Sequence, residues 1–325
     1  MTPSPLARLV DAVLEASVVG SFTRIGYLTR RRLFAWIPLD ALRLEGRVAI
    51  VTGATSGLGR MAAELLAGQG ASVCIVGRDP ERTERARAEL AAATGAPIEA
   101  EIADLSLLAD AAAFSERFSA SHNRLDILIH NAGALTHEFT RTSEGNELTF
   151  ATQVLAPFLV TRKLRPLLEA ASHARVIVVA SVGMYTVPLD VAALEPAPAE
   201  YDGAKAYARC KRAQVALAGE WTRELIGTGV TVNAMHPGWA DTPGLRKGLP
   251  AFSHALAPLL RTPLQGADTI AWLAAAPEVV AASGGFYLDR RARAVHRLRR
   301  TRRPDEAREA SRLWNLCTLR TGVEP

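Results

Sequence analysis

Tyr207 and Lys211 are the residues whose types and spacing most directly suggest chemistry in this sequence. They belong to the run AYARCKRAQVALAGEW, whose pattern predicts a long helix that would place them one turn apart on the same face. A phenol has an ordinary pKa of about 10, and an adjacent ammonium favours its ionised form. Such a phenol can exchange a proton with a substrate oxygen. Ser181, which ends the apolar run RVIVVAS, could supply a second hydroxyl to the same oxygen.

A second tyrosine, Tyr201, also precedes a lysine, Lys205, by four residues. Gly203 lies between them, and a proline-rich stretch at 187–200 comes just before, so this pair straddles a predicted helix start. We therefore expect the later pair to be the functional one.

A glycine-rich segment, TGATSGLG, separates a predicted strand at 47–51 from a predicted helix that ends at 69. Gly53, Gly57 and Gly59 allow a sharp turn and a close approach of backbone to ligand. The helix after the turn directs free N–H groups and its positive dipole end towards it, which suits a pyrophosphate. At the head of a strand–helix–strand unit, this pattern predicts a dinucleotide site.

The elements that position these residues alternate between short apolar strands and longer helices. Strands are predicted at 47–51, 72–76, 98–102, 125–130, 175–180, 230–235 and 285–288, with helices at 80–93, 106–120, 145–171, 204–226 and 264–275. The strands are nearly continuous apolar runs, as a parallel sheet buried on both faces requires. The fold class predicted is α/β, a doubly wound parallel sheet in a single Rossmann-fold domain. Pro157 and Pro166 are expected to kink or break their helix.

Both ends of the chain extend beyond this pattern. We divide the chain into an N-terminal helical extension at 1–45, the Rossmann domain at 46–290 and an arginine-rich C-terminal extension at 291–325. Residues 6–19 show apolar positions at helical spacing, broken by Asp11 and Glu15, and do not resemble a signal peptide. We expect this helix to pack its apolar face on the domain; contact with a membrane surface is the alternative that we do not favour.

Composition sets broad limits on the 325-residue chain. Hydrophobic residues make up 49% and charged residues 22%, which is typical of globular proteins. The net charge of +5 comes from local arginine clusters at 30–32 and 290–303, which we interpret as solvated surface and not as a nucleic-acid site. Three scattered cysteines predict neither a disulfide framework nor a metal site, and they favour the cytoplasm.

Five motifs in one order give the sequence a family resemblance. They are TGATSGLG, then NAG at 131–133, then Ser181, then Tyr207 with Lys211, then PG at 237–238. Together they resemble the short-chain dehydrogenase/reductase family over residues 46–290. The segments YARCKRAQVAL, HPGWADTPG and QGADT more narrowly resemble one subgroup of that family.

The resemblance implies an NAD(P)-dependent oxidoreductase. Tyr207 would be the general acid and base, Lys211 its partner and a ribose ligand, and Ser181 the residue that orients the substrate carbonyl. The implied cofactor-binding residues, besides Tyr207 and Lys211, are Gly53, Ser56, Gly57, Leu58, Gly59, Arg78, Asp104, Leu105, Asn131, Ala132, Gly133, Pro237, Gly238 and Thr242. No metal is implied.

The end of the second predicted strand bears on the choice of cofactor. An acid there binds the ribose 2′-OH of NAD, whereas an arginine accommodates the 2′-phosphate of NADP. Here the strand ends VGRDPER, with Gly77 in the acid's place and Arg78 next. Asp79 could instead begin the next helix as its N-cap. The sequence therefore favours NADP, with NAD as the less favoured cofactor.

The sequence departs from the family pattern in two places. Gln153 stands where the family usually has an asparagine that is thought to hold a water in a proton relay, so the relay is in doubt. Tyr207 follows Ser181 by 26 residues, about twice the usual family gap, and the proline-rich loop accounts for the excess.

The expected substrate is an apolar small molecule with a carbonyl or secondary alcohol. A substrate loop predicted at 236–262 carries Trp239, Leu245, Leu249, Phe252 and Leu256. The rival hypothesis is a catalytically idle NADP sensor that docks a partner through the arginine-rich C-terminal segment. Substrate identity, reaction direction and the formation of a homo-oligomer stay open.

Overall fold

The computed structural model describes residues 4–133 and 135–323, and an eight-stranded sheet forms the centre of that part of the chain. The strands are β1 Val48–Thr52, β2 Ser72–Gly77, β3 Ile98–Ile102, β4 Ile127–His130, β5 Arg175–Val179, β6 Thr231–Met235, β7 Phe286–Leu288 and β8 Arg291–Ala292. They lie in the order β3-β2-β1-β4-β5-β6-β7-β8. Neighbours are parallel as far as β7, and β8 pairs antiparallel with β7.

Helices cover both faces of this sheet. They are α1 Pro5–Ala16, α2 Val18–Phe22, α3 Arg24–Leu33, α4 Gly57–Gly68, α5 Pro80–Thr94, α6 Leu108–Ser121, α7 Leu148–Phe150, α8 Ala156–Glu169, α9 Gly203–Glu224, α10 Pro243–Gly248, α11 Pro250–Leu256, α12 Pro263–Ala275 and α13 Glu306–Thr321. Alternate strand residues enter opposite cores: Ile50 packs with α6, α8 and α9, and Val51 packs with α4, α5 and α12. The predicted doubly wound parallel sheet is confirmed.

The strand order reverses between β1 and β4. The chain builds outward from β1 through β2 to β3, then returns to place β4 on the other side of β1. The crossover connections therefore diverge at the carboxyl ends of β1 and β4 and leave a crevice there. Both the glycine-rich segment and the NAG motif begin at these two strand ends.

The predicted breaks at Pro157 and Pro166 do not occur, and at Pro157 a side-chain amide takes the place of the missing N–H. Pro166 lies inside α8, and Pro157 lies in the first turn of α8, directly after a π-helical turn at Ala151–Leu155. Pro157 cannot donate to the carbonyl of Gln153, four residues earlier. The side-chain amide of Gln214 donates to that carbonyl instead, at 2.7 Å. The polypeptide thus stays helical from 148 to 169.

The N-terminal helix α1 packs on the domain, as expected, but it does so with its charged side and not with its apolar side. Ala7 and Asp11 are buried, whereas Leu6, Leu9 and Val13 are more than 60% exposed. The Asp11 carboxylate accepts hydrogen bonds from Arg30 at 2.7 Å and from Arg293 at 2.9 Å. Because the side chains of these two arginines are buried, the helix turns its carboxylate inward and its apolar side chains outward.

Within residues 4–133 and 135–323, no helix has the length and apolar content that a membrane span requires.

The arginine-rich C-terminal segment is only partly solvated: Arg299, Arg300 and Arg302 are exposed, but for the arginines that begin the segment our interpretation was wrong. Arg290 pairs with Asp268 at 2.7 Å, and Arg293 pairs with Asp11; both arginines are less than 10% exposed. The segment then leads into α13, whose Trp314 packs against Trp221 of α9 with ring centroids 4.8 Å apart. Carboxylates of the same molecule thus pair with Arg290 and Arg293, which we expected to face solvent.

A buried ion cluster joins the N-terminal helices to the end of β7. Asp289 accepts from Arg261 at 2.6 Å and from Arg30 at 2.7 Å, and all three side chains are at most 1% exposed. Arg261 also donates to the main-chain carbonyls of Ser21, Phe22, Thr23 and Pro237. Removing one of these three side chains would leave an uncompensated charge in a buried site.

We expect Asp289→Asn to lower the free energy of unfolding by about 3–5 kcal/mol, because the buried Arg261 would lose its carboxylate partner and Arg30 would keep only those of α1. Asn suits the test, since it shares with Asp a tolerance for the left-handed backbone that Asp289 adopts at φ 52°. Urea unfolding followed by circular dichroism measures the change. The control Glu116→Gln breaks an exposed pair with Lys163 and should cost less than about 1 kcal/mol. Equal losses in the two variants would contradict the prediction.

Candidate active site

The glycine-rich segment forms the turn between β1 and α4 at the crevice. Gly53 and Gly57 have φ values of 65° and 57°, which side chains other than glycine rarely adopt. A Cβ atom at Gly59 would lie 2.4 Å from the Gly53 carbonyl oxygen and 2.4 Å from the Asn131 amide nitrogen. Ser56 precedes α4 and does not cap it with its side chain within the described chain. The first N–H groups of α4 therefore remain available to an anion.

Thr52 and Asn131 join the carboxyl ends of β1 and β4. The Thr52 hydroxyl accepts from the main-chain N–H groups of Asn131 and Ala132 at 3.0 and 3.1 Å. The Asn131 amide donates to the carbonyls of Thr52 and Gly53 at 2.9 and 3.2 Å. Our sequence reasoning missed Thr52, although it directly precedes Gly53 in the motif. These bonds hold the NAG motif against the glycine turn.

The end of β2 presents a positive charge to the same edge of the sheet. Arg78 is exposed, and no ion pair is recorded for it in the part of the chain that the structure describes. The Asp79 carboxylate accepts from the Arg82 N–H at 2.8 Å and caps α5, as the sequence alternative had it. A Cβ atom at Gly77 would lie 2.2 Å from the Thr83 hydroxyl, so no acid fits there. This edge therefore favours an anionic group.

Asp104 and Leu105 follow β3 at the next position along this edge. Asp104 is half-buried, and its carboxylate accepts from the N–H and the hydroxyl of Ser106 at 2.9 and 2.7 Å. Leu105 is buried against the sheet. The turn is thus fixed by its own hydrogen bonds, with Asp104 at the surface of the crevice.

Ser181, Tyr207 and Lys211 meet beside the end of β5. Ser181 begins a 3₁₀ turn, Val182–Thr186, that packs on α9, and its hydroxyl is hydrogen-bonded to the Tyr207 phenol. The Lys211 ammonium lies 5.4 Å from the centroid of the Tyr207 ring and donates to the Val179 carbonyl at 2.9 Å. The structure therefore brings the three residues together from two separate elements.

The pKa of Tyr207 does not follow our expectation. Burial raises the pKa of its phenol, and the hydrogen bond with Ser181 offsets only part of that rise. Burial also lowers the pKa of Lys211 to about 8, because an ammonium loses its hydration there. The expected lowering of the Tyr207 pKa by Lys211 is therefore wrong. At neutral pH the phenol is protonated and Lys211 is mostly charged.

Tyr201 and Lys205 occupy a different environment. Helix α9 begins at Gly203 with Asp202 as its N-cap, so Tyr201 precedes the helix, as the glycine indicated. The Tyr201 hydroxyl is 2.8 Å from the Thr136 hydroxyl, and Lys205 is exposed beside Asp202. The two side chains do not form a site together.

The segment after β6 closes over the glycine turn. Thr242 caps α10 and lies against Gly57, where a Cβ atom would be 3.4 Å from the Thr242 Cβ. Pro237 and Gly238 begin this segment and are half-buried. Trp239 packs edge-on against Phe252 of α11, with centroids 5.0 Å apart. The predicted substrate loop therefore consists of α10, α11 and an aromatic pair.

Gln153 lies in the π-helical turn and is buried. Its side chain is close to Gly133, where a Cβ atom would be 3.1 Å from the Gln153 amide carbon. The longer glutamine thus reaches the backbone of the NAG motif. The π-helical turn that positions it had no signal in the sequence beyond Pro157.

The histidines are structural or exposed. His130 is buried, shares a hydrogen bond with Thr161 at 2.8 Å, and burial lowers its pKa to about 3. His236 is buried among aromatic rings, and His254 is exposed. The search of the described residues found no cluster of three metal-ligating side chains.

Comparison with known proteins gives consistent matches. A family model described as short chain dehydrogenase matches residues 47–250. Dehydrogenase/reductase SDR family member 12 from Bos taurus is 38% identical over 288 residues, covering 88% of this chain and 90% of the relative. Retinol dehydrogenase 12 from Mus musculus is 32% identical over 311 residues, covering 94% and 96% of the two chains.

Solved structures share the fold. The crystal structure of a short chain dehydrogenase from Shigella flexneri, complexed with NADP, superposes with a TM-score of 0.62 at 25% identity. The superposition covers 76% of this chain and 98% of the other.

We expect Gly59→Ala to lower the free energy of unfolding by about 1–3 kcal/mol, because the new methyl group would push on the Gly53 carbonyl and the Asn131 amide. Thermal or urea unfolding measures this change. Gly68→Ala is the matched control in the same helix, since nothing lies within 4 Å of a Cβ atom there. That control should be neutral or slightly stabilising. A Gly59→Ala protein as stable as the control would contradict the tight approach.

Proposed function

The chain belongs to the short-chain dehydrogenase/reductase family and is an NAD(P)-dependent oxidoreductase, and we propose that it transfers a hydride between NADP and an apolar carbonyl or secondary alcohol. The observation that carries this proposal is the meeting of Ser181, Tyr207 and Lys211 beside the end of β5. These are the three side chains that a polar carbonyl reaction needs for orientation, proton transfer and charge stabilisation.

The proposed roles follow from the protonation states of these side chains. The nicotinamide of the cofactor supplies or accepts the hydride when it is bound. In the reductive direction, the protonated Tyr207 phenol donates its proton to the substrate oxygen, and the Ser181 hydroxyl donates a hydrogen bond to the same oxygen. The Lys211 ammonium then stabilises the phenolate that remains, which is an anion in a poorly solvated site. Oxidation uses the same groups in reverse.

NADP suits the residues around the crevice. Gly53 and Gly59 let the turn pack tightly against Ala132 and Asn131, and the free N–H groups of α4 suit the pyrophosphate. Arg78 would pair with the 2′-phosphate, and Asp79 would not compete because it caps α5. Lys211 and Asn131 would hold the ribose and nicotinamide end, and Thr242 would contact the carboxamide.

An apolar substrate is the finer part of the proposal. Trp239 and Phe252 form an aromatic pair in the loop over the crevice, and a Cβ atom at Gly248 would lie 3.2 Å from Leu135, so the loop also approaches the segment after NAG. The name of one relative, retinol dehydrogenase 12, supports a lipophilic substrate class. Apolar and aromatic linings bind such molecules chiefly by removing their surface from water.

The rival hypothesis of an idle sensor is less favoured. It needs free arginines in the C-terminal segment for partner docking; Arg299, Arg300 and Arg302 are exposed, but Arg290 and Arg293 are paired within the molecule. It also gives no reason for the hydrogen bond between Ser181 and Tyr207.

The location and assembly state of the protein stay predictions. The three cysteines are buried and unbridged, which supports our prediction of a reducing, cytoplasmic environment. A homo-oligomer stays open.

The direct test is a screen of NADPH oxidation against apolar aldehydes, ketones and quinones. We expect turnover with at least one lipophilic carbonyl compound and little with short polar aldehydes. NADPH binding without turnover across the whole panel would favour the sensor.

Tyr207→Phe should lower turnover by about a hundredfold to ten-thousandfold, because it removes only the proton donor. NADPH binding and unfolding should change little. Tyr201→Phe is the matched control: it loses the contact with Thr136 but should keep nearly full turnover. Lys211→Ala should lower both turnover and NADPH affinity, since it has two roles. If Tyr201→Phe were the inactive variant, the assignment would be wrong.

Arg78→Ala should weaken NADPH binding by about 1.5–3 kcal/mol, the size of a charge-assisted hydrogen bond, and change NADH binding little. Arg85→Ala removes a nearby exposed arginine of α5 and serves as the control. Fluorescence titration with both cofactors gives the affinities. Equal NADPH and NADH affinities in the unmodified protein would refute the preference.

A further inference from the structure

The N-terminal helices expose a group of large apolar side chains. We name it the N-terminal apolar face; its members are Leu6, Leu9, Val13, Val18, Val19, Ile25 and Leu28, and each is 40–67% exposed. In α1, residues 6, 9 and 13 follow the spacing of one helical face, opposite the buried Ala7 and Asp11. Helices α2 and α3 pack against α1, so the three helices present one surface.

This orientation is fixed by charge. Asp11 accepts hydrogen bonds from Arg30 and Arg293, and Glu15 is within 3.4 Å of Arg293 and Arg297. Rotating α1 to bury its leucines would expose and unpair these carboxylates and leave buried arginines without anions. The apolar residues thus stay in contact with water unless another surface covers them, and a patch of this kind marks an interaction site.

The charges on these helices indicate what covers the face. Between residues 4 and 37, the acids are Asp11 and Glu15, and both are turned inward and paired. The exposed charged side chains there are arginines: Arg8, Arg24, Arg31 and Arg32. A second copy of this face would bring arginines towards arginines. Apolar side chains bordered by arginines instead match an anionic lipid surface, which takes up both.

Hydrogen bonds connect the N-terminal apolar face to the substrate loop of the candidate active site. Phe22 lies in the same short helix as Val18 and Val19. Its main-chain carbonyl accepts a hydrogen bond from the main-chain N–H of Trp239 at 2.7 Å. Arg261, at the other end of the substrate loop, donates to the carbonyls on either side of Phe22. A surface that binds α2 would therefore also restrain both ends of the substrate loop.

We propose that the N-terminal apolar face docks this protein on the surface of an anionic lipid bilayer. Docking also places the substrate loop next to the lipid, so that an apolar substrate dissolved in the bilayer reaches the site directly; this second step rests on the proposed function.

Vesicle flotation tests the docking. The full chain should float with vesicles that contain about one-third phosphatidylserine, float weakly with pure phosphatidylcholine, and be partly released by salt. Leu9→Glu/Val13→Glu should weaken binding at least about tenfold. Arg31→Gln/Arg32→Gln should weaken it about fivefold for each arginine removed. Ile226→Glu/Leu319→Glu changes two equally exposed apolar residues outside the face and should float like the unmodified protein.

Two outcomes would overturn the proposal. One is failure of the unmodified protein to float with anionic vesicles. The other is a concentration-dependent dimer, seen by sedimentation, that Leu9→Glu/Val13→Glu dissociates without any vesicle binding. All variants should keep the unmodified unfolding midpoint, because the changed side chains are exposed.

Turnover separates the docking from the proposed function. The Leu9→Glu/Val13→Glu protein should reduce a lipophilic carbonyl substrate dissolved without vesicles at the unmodified rate, but it should lose the faster reduction of the same substrate embedded in vesicles. Equal rates of both proteins on the embedded substrate would refute delivery through the lipid. Absence of turnover in every protein would refute the proposed function and leave the flotation result to decide docking.

Discussion

One buried carboxylate, that of Asp289, holds together parts of the chain that are distant in sequence. It lies just after β7 and pairs with Arg30 from α3 and Arg261 from the end of the substrate loop. Charges without water are stable only when each has a partner, so these groups must assemble together. Arg261 extends the cluster to main-chain carbonyls of the N-terminal helices and of Pro237. This buried ion cluster thereby joins the sheet, the N-terminal helices and the substrate loop.

The same cluster explains why α1 turns its apolar side outward. Arg30, already bound to Asp289, also binds Asp11, and this contact determines the rotation of α1 about its axis. Burying the leucines of α1 would recover hydrophobic free energy of about 1.5–3 kcal/mol for each side chain. Leaving buried ions unpaired costs at least as much. The ionic constraint therefore leaves an apolar surface beside the substrate loop, where a lipid surface can compensate for it.

At the candidate active site, burial and hydrogen bonding act in opposite directions. Burial holds the proton on Tyr207, and the Ser181 hydroxyl partly stabilises the phenolate. Burial also lowers the pKa of Lys211 to about 8, which leaves it mostly charged at neutral pH. The Tyr207 phenol thus remains a proton donor at neutral pH. The nearby Lys211 ammonium can stabilise the phenolate that forms when the proton is transferred. The sign of each shift depends on enclosure by surrounding elements and not on the Tyr–Lys spacing alone.

The sequence by itself predicted the fold class, because continuous apolar strands with helices between them have few other ways to bury both faces. It also predicted which tyrosine lies inside α9, because Gly203 and the prolines before it mark the helix start. The tertiary structure alone decided the rotation of α1, the pairing of the C-terminal arginines and the raised pKa of Tyr207. Those features depend on partners far away in sequence, such as Asp11 with Arg293, and on burial that no local pattern encodes. The π-helical turn at Gln153 also depends on a partner far away in sequence. The Gln214 side chain donates to the Gln153 carbonyl, to which Pro157 cannot donate.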